Sequence, residues 1–167
     1  MRVLYDLVIV GGGAAGLTAA LYASRSGLDC IVLDPSSPEG SSIALTDAVE
    51  NYTGFSDIAG FDLIQHFYSH AKSFGANFVR QSLVGIRKNY DGFILECSDS
   101  EVKTKSVILC MGATHKKLGI DGENKFEGRG VSYCAVCDAF FYRGRDVAVL
   151  GNSDFALHEA EQLQNVT

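Results

Sequence analysis

The 167 residues are short of several things, and each absence removes a class of protein. Two prolines stand against 18 glycines. That excludes a proline-rich linker and points to tight backbone approaches. No stretch comes near the ~18 apolar residues of a membrane-spanning helix. The 14 Lys and Arg are scattered, with no cluster longer than Lys116-Lys117, and the formal net charge is −6. Without a basic stripe, nucleic acid is not an expected partner. The N-terminus offers Arg2 and an apolar run broken by Asp6, not a long apolar leader with a cleavage site, so a cytoplasmic location is expected. What remains is ordinary globular composition, 47% hydrophobic and 20% charged. The length suits one domain, or one and part of a second.

Apolar runs and glycines order the chain. Leu4 to Val10 reads as a buried parallel strand, followed by Gly11 to Gly16 and a helical pattern from Ala14 to about Ser26. Gly27 is placed to cap that helix. Cys30 to Leu33 is the next strand, completing a βαβ unit. Pro35 to Asp57 has no period and reads as a long loop, a feature that is usually functional in compact domains. Ile58 to Phe74 is helical, with Phe61, Ile64, Phe67, Tyr68, Ala71 and Phe74 at three- and four-residue steps. Ala76 to Arg80 is a short strand. Leu83 to Lys105 alternates and is broken at Asp91-Gly92 and Ser98-Asp99-Ser100, which predicts a three-stranded antiparallel meander. Ser106 to Cys110 reads as a further buried strand. After the polar, Gly-rich stretch from His115 to Gly130, the pattern predicts a short helix over Cys134 to Phe141, a strand over Asp146 to Leu150 and a helix over Asp154 to Leu163.

Gly11-Gly12-Gly13-Ala14-Ala15-Gly16 matches G-x-G-x-x-G between a strand and a helix. Gly11 allows the tight turn, Gly13 lets a pyrophosphate approach, and Gly16 lets the helix pack on the strand. The helix start offers N–H groups and a positive dipole end to phosphate. Asp34, closing the second strand, is suited to an adenosine ribose. A Gly-rich turn without ligand is the alternative, but strand, helix and acidic residue all stand where dinucleotide binding needs them. Antiparallel strands inserted before the last parallel strand favour FAD over NAD.

Five cysteines are present. Cys30, Cys97 and Cys110 lie singly in apolar runs and read as reduced, buried thiols. Cys134 and Cys137 form Cys-x-x-Cys. On a helix they share a face, and a helix start favours the thiolate. Asp138 adjoins the second cysteine and could move a proton during thiol–disulfide exchange. Half a zinc site is the rival reading, but no second Cys or His pair has the spacing for it, so no metal is expected. Two inert thiols are the other rival.

These features together resemble the low-molecular-weight, bacterial-type thioredoxin reductases, class II pyridine nucleotide-disulfide oxidoreductases. The residues that carry the likeness are the glycine motif, Glu50-Asn51-Tyr52 with Gly54-Phe55, Gly112-Ala113, Lys117 to Ile120, and Gly128-Arg129-Gly130-Val131-Ser132-Tyr133-Cys134-Ala135-Val136-Cys137-Asp138. The last block is the most specific. The resemblance implies an α/β chain: residues 1–113 as the N-terminal part of a Rossmann-like FAD domain with an antiparallel meander, and 114–167 as the start of a second Rossmann-like dithiol and NADPH domain. It implies electrons passing from NADPH through FAD to a Cys134–Cys137 disulfide and on to thioredoxin. Cys137 would be nearer the flavin, Cys134 would attack the partner, and Asp138 would be the acid/base. Gly11, Gly13, Ala14, Ala15, Gly16, Asp34, Ser42, Asn51, Val84, Gly112 and Ala113 would hold FAD. Phe140 and Phe141 would dock thioredoxin, with core packing as their alternative, and the assembly would be a homodimer.

Three departures accompany the likeness. Gly40-Ser41-Ser42-Ile43 replaces the family's Gly-Gly-Gln-Leu, putting a shorter side chain at Ser42. The second glycine motif reads Gly151-Asn152-Ser153-Asp154-Phe155-Ala156, and a Cβ at Ser153 would crowd a diphosphate, which opens ferredoxin as an alternative donor to NADPH. The family chain also continues well past this length, so the sequence reads as an N-terminal portion, and a non-catalytic flavin-binding remnant is the rival reading of it.

Overall fold

Alternation inside two short apolar runs sets the architecture. In the computed structural model, which describes residues 4–164 and 166, β1 (Tyr5–Val10) and β2 (Cys30–Leu33) pair in parallel, Leu7 opposite Cys30 through to Val10 opposite Leu33. Successive side chains take opposite faces. Leu7, Ile9, Cys30 and Val32 pack with Ala20 and Ala23 of α1 (Ala14–Arg25) and Ala71 of α2 (Gly60–Ser73). Val8, Val10, Ile31 and Leu33 pack on the other side with Leu95 and Val102. Both faces are covered, which is why these runs read as continuously apolar.

The remaining strands are β3 (Asn77–Val79), β4 (Leu83–Asn89), β5 (Gly92–Cys97) and β6 (Glu101–Leu109). Together they form one mixed six-stranded sheet in the order β3-β2-β1-β6-β5-β4. β3, β2, β1 and β6 run parallel to their neighbours, while β6, β5 and β4 form the antiparallel meander. The α/β class and the meander expected from the sequence are therefore present. The boundary expected between the meander and the last parallel strand is not. The third meander strand and the Ser106–Cys110 strand are one element, because β6 uses one edge for β5 and the other for β1. Thr104 sits at the changeover, opposite both Phe93 and Tyr5. It is fully buried, and its hydroxyl lies within hydrogen-bonding distance of Tyr5 O (3.2 Å) and Ser106 O (2.9 Å).

The chain divides into two compact units, Met1–Ala113 and Thr114–Thr167. The second contains α3 (Glu123–Phe126), α4 (Ala135–Asp138), a 3-10 turn over Ala139–Tyr142, and α5 (Asp154–Leu163). The helix expected over Cys134 to Phe141 is thus an α turn followed by a 3-10 turn. The strand expected over Asp146 to Leu150 does not form. A strand exists only through backbone bonds to a neighbour, and no described segment of this unit pairs with these residues. Among the described residues, no helix is long and apolar enough to cross a membrane.

Candidate functional site

Two constellations carry chemistry, one in each unit. The first lies where β1, β2 and β6 end. Gly11 N–H donates to Leu33 O (2.9 Å) and Cys110 N–H to Val10 O (2.7 Å), which carries the ladder into the glycine turn. Gly11 has φ of +102° and a Cβ there would run into the Cys110 carbonyl. Gly16 is buried, and a Cβ on it would overlap the Gly11 carbonyl. Both glycines are therefore packing requirements. Gly13 differs. It is the N-cap of α1, and a Cβ on it would meet nothing within 4 Å. No side chain caps the first turn, so the N–H groups at Ala14 and Ala15 face a space with no protein acceptor from the cap. Open space over a helix N-terminus of this kind fits a diphosphate.

Asp34 is the hinge of this turn. Its Oδ2 accepts from Gly12 N–H (2.6 Å) and its Oδ1 from Ser36 N–H (2.8 Å). The Ser36 hydroxyl also donates to Oδ1 (3.3 Å). A carboxylate has about four lone-pair positions, so three such bonds leave about one, on Oδ2, for a ribose hydroxyl. Ser37, buried, donates its hydroxyl to Gly12 O (3.0 Å). Gly12 and Ser37 were given no role by the sequence pattern. Polar residues clustered just after a strand end were the available signal. Ser42 and Asn51 are exposed on the long connection between β2 and α2, Val84 is exposed at a register shift in β4, and Gly112 and Ala113 are exposed just beyond β6. None of these five is tied by a side-chain bond to the glycine turn.

In the second unit Cys134 and Cys137 are joined as a disulfide, their Cα atoms 5.3 Å apart. Cys134 is the N-cap of α4, in extended conformation. Its carbonyl accepts from Asp138 N–H (3.1 Å), and its sulfur accepts from Cys137 N–H (3.2 Å). Asp138, the expected acid/base, accepts from the Ser132 hydroxyl (2.5 Å), and Ser132 Oγ in turn accepts from Cys134 N–H (3.1 Å). Ser132 thus links the carboxylate to the backbone of the first cysteine, a role the sequence did not disclose. Ala135 N–H donates to the carboxylate of Glu159 on α5. Phe140 and Phe141 are exposed rather than core, their rings edge-on at 6.2 Å.

A buried carboxylate stands behind this turn. Glu123 accepts from Leu118 N–H (3.0 Å), Gly119 N–H (2.7 Å) and the Tyr133 hydroxyl (2.8 Å). The backbone donor at Leu118 is the main reason its acidity is strengthened, and the Tyr133 bond adds to it. Tyr133 is pushed up to about 12 by burial and by that carboxylate, so it stays a neutral donor. Its ring stacks on His115, centroids 5.1 Å apart. Of the three single cysteines expected to be buried, only Cys30 is; Cys97 and Cys110 are half-buried, and that partial burial pushes both thiols up. Ser153 is the N-cap of α5 without a side-chain cap bond, beside a groove of about 410 Å³ lined by Gly151, Asn152, Asp154 and Leu157.

The chain is 39% identical over 160 residues to the thioredoxin reductase of Bacillus subtilis, covering 96% of this chain and 50% of that protein. It is 41% identical over 168 residues to the thioredoxin reductase of Treponema pallidum, covering 100% of this chain and 54% of that one. The crystal structure of thioredoxin reductase from Streptococcus pyogenes superposes with a TM-score of 0.90 at 36% identity, over 99% of this chain and 54% of that one. The chain thus spans about half the length of the relatives it matches. Since the model of the pyridine nucleotide-disulphide oxidoreductases also matches residues 5–167, the chain belongs to that family, among its thioredoxin reductases.

Proposed function

We propose that these residues are the flavin-binding and dithiol parts of a disulfide reductase that passes electrons from NADPH, through FAD, to thioredoxin or a thioredoxin-like partner. In this reading residues 1–113 belong to the FAD domain and 114–167 to the dithiol and NADPH domain. The observation that carries it is the Cys134–Cys137 disulfide at the start of α4, next to a carboxylate and a hydroxyl. The names of the relatives support the partner.

Gly13, Ala14 and Ala15 would hold the FAD diphosphate with their N–H groups, Asp34 the ribose, and Ser42, Asn51, Val84, Gly112 and Ala113 the remainder. Bound flavin supplies the two-electron couple that opens the disulfide. The chain's own residues then perform the exchange. Cys134 thiolate attacks one sulfur of the partner disulfide, forming a mixed disulfide and expelling a partner thiolate. Cys137 thiolate attacks the Cys134 sulfur, which restores the internal disulfide and expels the second partner thiolate. Asp138, which accepts from the Ser132 hydroxyl (2.5 Å), would take the protons that the Cys134 and Cys137 thiols lose and pass them to the two leaving thiolates. Phe140 and Phe141, exposed and close to the turn in sequence, would meet the partner.

The test is a reductive titration of the flavin-loaded protein. Flavin and disulfide together take four electrons, and the Cys134→Ser variant takes two. Uptake of two electrons by the parent would refute the redox role of the pair and support the non-catalytic flavin-binding remnant, and a protein that stays colourless when offered FAD would refute the flavin site itself. A second donor is favoured by one observation: Ser153 places a side chain at the N-cap of α5, where a diphosphate needs open backbone. Reduced ferredoxin outpacing NADPH as donor would decide for it.

A further inference from the structure

We propose that Cys134 is braced on both sides by carboxylates from separate elements, and that Glu159 and the Tyr133–Glu123 pair thereby set how readily Cys134 and Cys137 close into a disulfide. The inference rests on the disulfide-reductase reading above. On the C-terminal side, Glu159 of α5 accepts from Ala135 N–H, the first N–H after Cys134. On the N-terminal side, the Tyr133 hydroxyl donates to Glu123 (2.8 Å) while its ring stacks on His115. Glu123 is itself buried and fixed by Leu118 and Gly119 N–H, so it is a rigid anchor. Tyr133 and Ala135, the residues on either side of Cys134, are therefore held by groups outside the turn.

The physical consequence is one of effective concentration. Two thiols close in proportion to the time each spends within reach of the other. α4 has only four residues. A helix that short has little stability of its own, so its first turn depends on outside partners. With the turn held, Cys137 N–H points at Cys134 Sγ, and the second sulfur is delivered to the first. Without a brace, the open dithiol gains backbone freedom that the closed disulfide does not. Removing a brace thus moves the equilibrium toward dithiol. The carboxylates around the turn are Asp138, bonded to Ser132, Glu123, bonded to Tyr133, and Glu159; Glu159→Gln keeps an acceptor for Ala135 N–H and changes only charge.

The experiment equilibrates the full chain in glutathione buffers at fixed pH. In each cycle the protein disulfide takes up two electrons and two protons from two glutathione thiols, which leave as one glutathione disulfide. Alkylation and mass spectrometry of the peptide carrying Cys134 and Cys137 read the ratio, apart from the other cysteines. Glu159→Ala and Tyr133→Phe are expected to shift it toward dithiol by about threefold to tenfold, the scale of partly freeing one residue's backbone. Glu159→Gln should stay within about twofold of the parent, since the acceptor remains. An unshifted ratio in Glu159→Ala or Tyr133→Phe, or equal shifts in Glu159→Ala and Glu159→Gln, overturns the bracing. A parent pair that never cycles in these buffers overturns the reductase reading as well, which keeps the two failures apart.

Discussion

Replacing Gly16 and Gly13 by alanine separates a packing glycine from a binding one. A Cβ on Gly16 would overlap the Gly11 carbonyl and lie 3.5 Å from Cys110 Cβ. The obstacle is backbone, so relief requires α1 to move off the end of β1. Overpacking of this kind costs about 1–3 kcal/mol, and a rigid obstacle argues for the upper end. Alanine returns about 0.5–1 kcal/mol through its helix preference. The net loss is about 2 kcal/mol, or a fall in Tm of about 4–8 °C for a chain of this size. Gly13 has φ of −77°, which alanine adopts freely, and open space around it. Alanine is a poorer N-cap than glycine, yet restricts the unfolded chain, and these opposing effects cancel to within about 1 kcal/mol. The expected outcome is a crossed pattern. Gly16→Ala lowers the urea midpoint followed by circular dichroism, while Gly13→Ala leaves it in place but lowers the flavin retained after desalting. A Gly16→Ala chain as stable as the parent would refute the packing role. Undiminished flavin in Gly13→Ala would refute the cradle.

Three further outcomes follow from buried polar contacts. Ser37→Ala removes the hydroxyl on Gly12 O and should cost about 1 kcal/mol in urea unfolding, with a larger effect on flavin retention. Thr104→Val keeps the shape at the changeover of β6 and removes its hydroxyl from Tyr5 O and Ser106 O, so a loss of about 1 kcal/mol is expected, and no change would show that those carbonyls need no side-chain donor. Folding lowers the Glu123 pKa, chiefly through the Leu118 N–H. Its contribution is therefore complete above the unfolded carboxylate value of about 4.3 and is lost as pH falls through the lower folded value. Unfolding midpoints between pH 3 and 7 should fall more steeply on the acid side in the parent than in Glu123→Gln, and parallel curves would refute this.

The sequence disclosed what local chemistry determines. Two apolar runs, one glycine motif and an Asp-Gly turn were enough for β1, α1, β2 and the β4–β5 hairpin. Gly11 and Gly16 could be assigned because backbone geometry leaves few alternatives there. The continuity of β6 was hidden, since Thr104 reads as an ordinary meander residue and only its double pairing reveals the strand as one. The strand expected at Asp146 to Leu150 failed for the complementary reason: its pattern is right, but pairing needs a neighbour. Cys134, Cys137 and Asp138 were legible as a motif. Ser132 lay within the same block without a visible function. Glu159 was beyond reach, because its partner is 24 positions away and nothing in either residue's surroundings signals the other.

A shared device underlies both constellations. In the first unit a carboxylate from the following strand end, Asp34, takes the Gly12 N–H at the mouth of the glycine turn. In the second, a carboxylate from the following helix, Glu159, takes the Ala135 N–H at the start of the dithiol turn. Each turn must present N–H groups to something outside the regular hydrogen-bond ladder, and an unsecured turn could instead relax to satisfy them itself. Fixing one N–H with an ionised acceptor is stronger than a neutral bond and holds the neighbours in place. The next N–H groups are then left for chemistry: those at the start of α1 for a phosphate, and that of Cys137 for the Cys134 sulfur. It follows that Asp34→Asn and Glu159→Gln, which keep an acceptor, should preserve each turn better than alanine does. The comparison of amide against alanine at both positions measures preorganisation apart from charge.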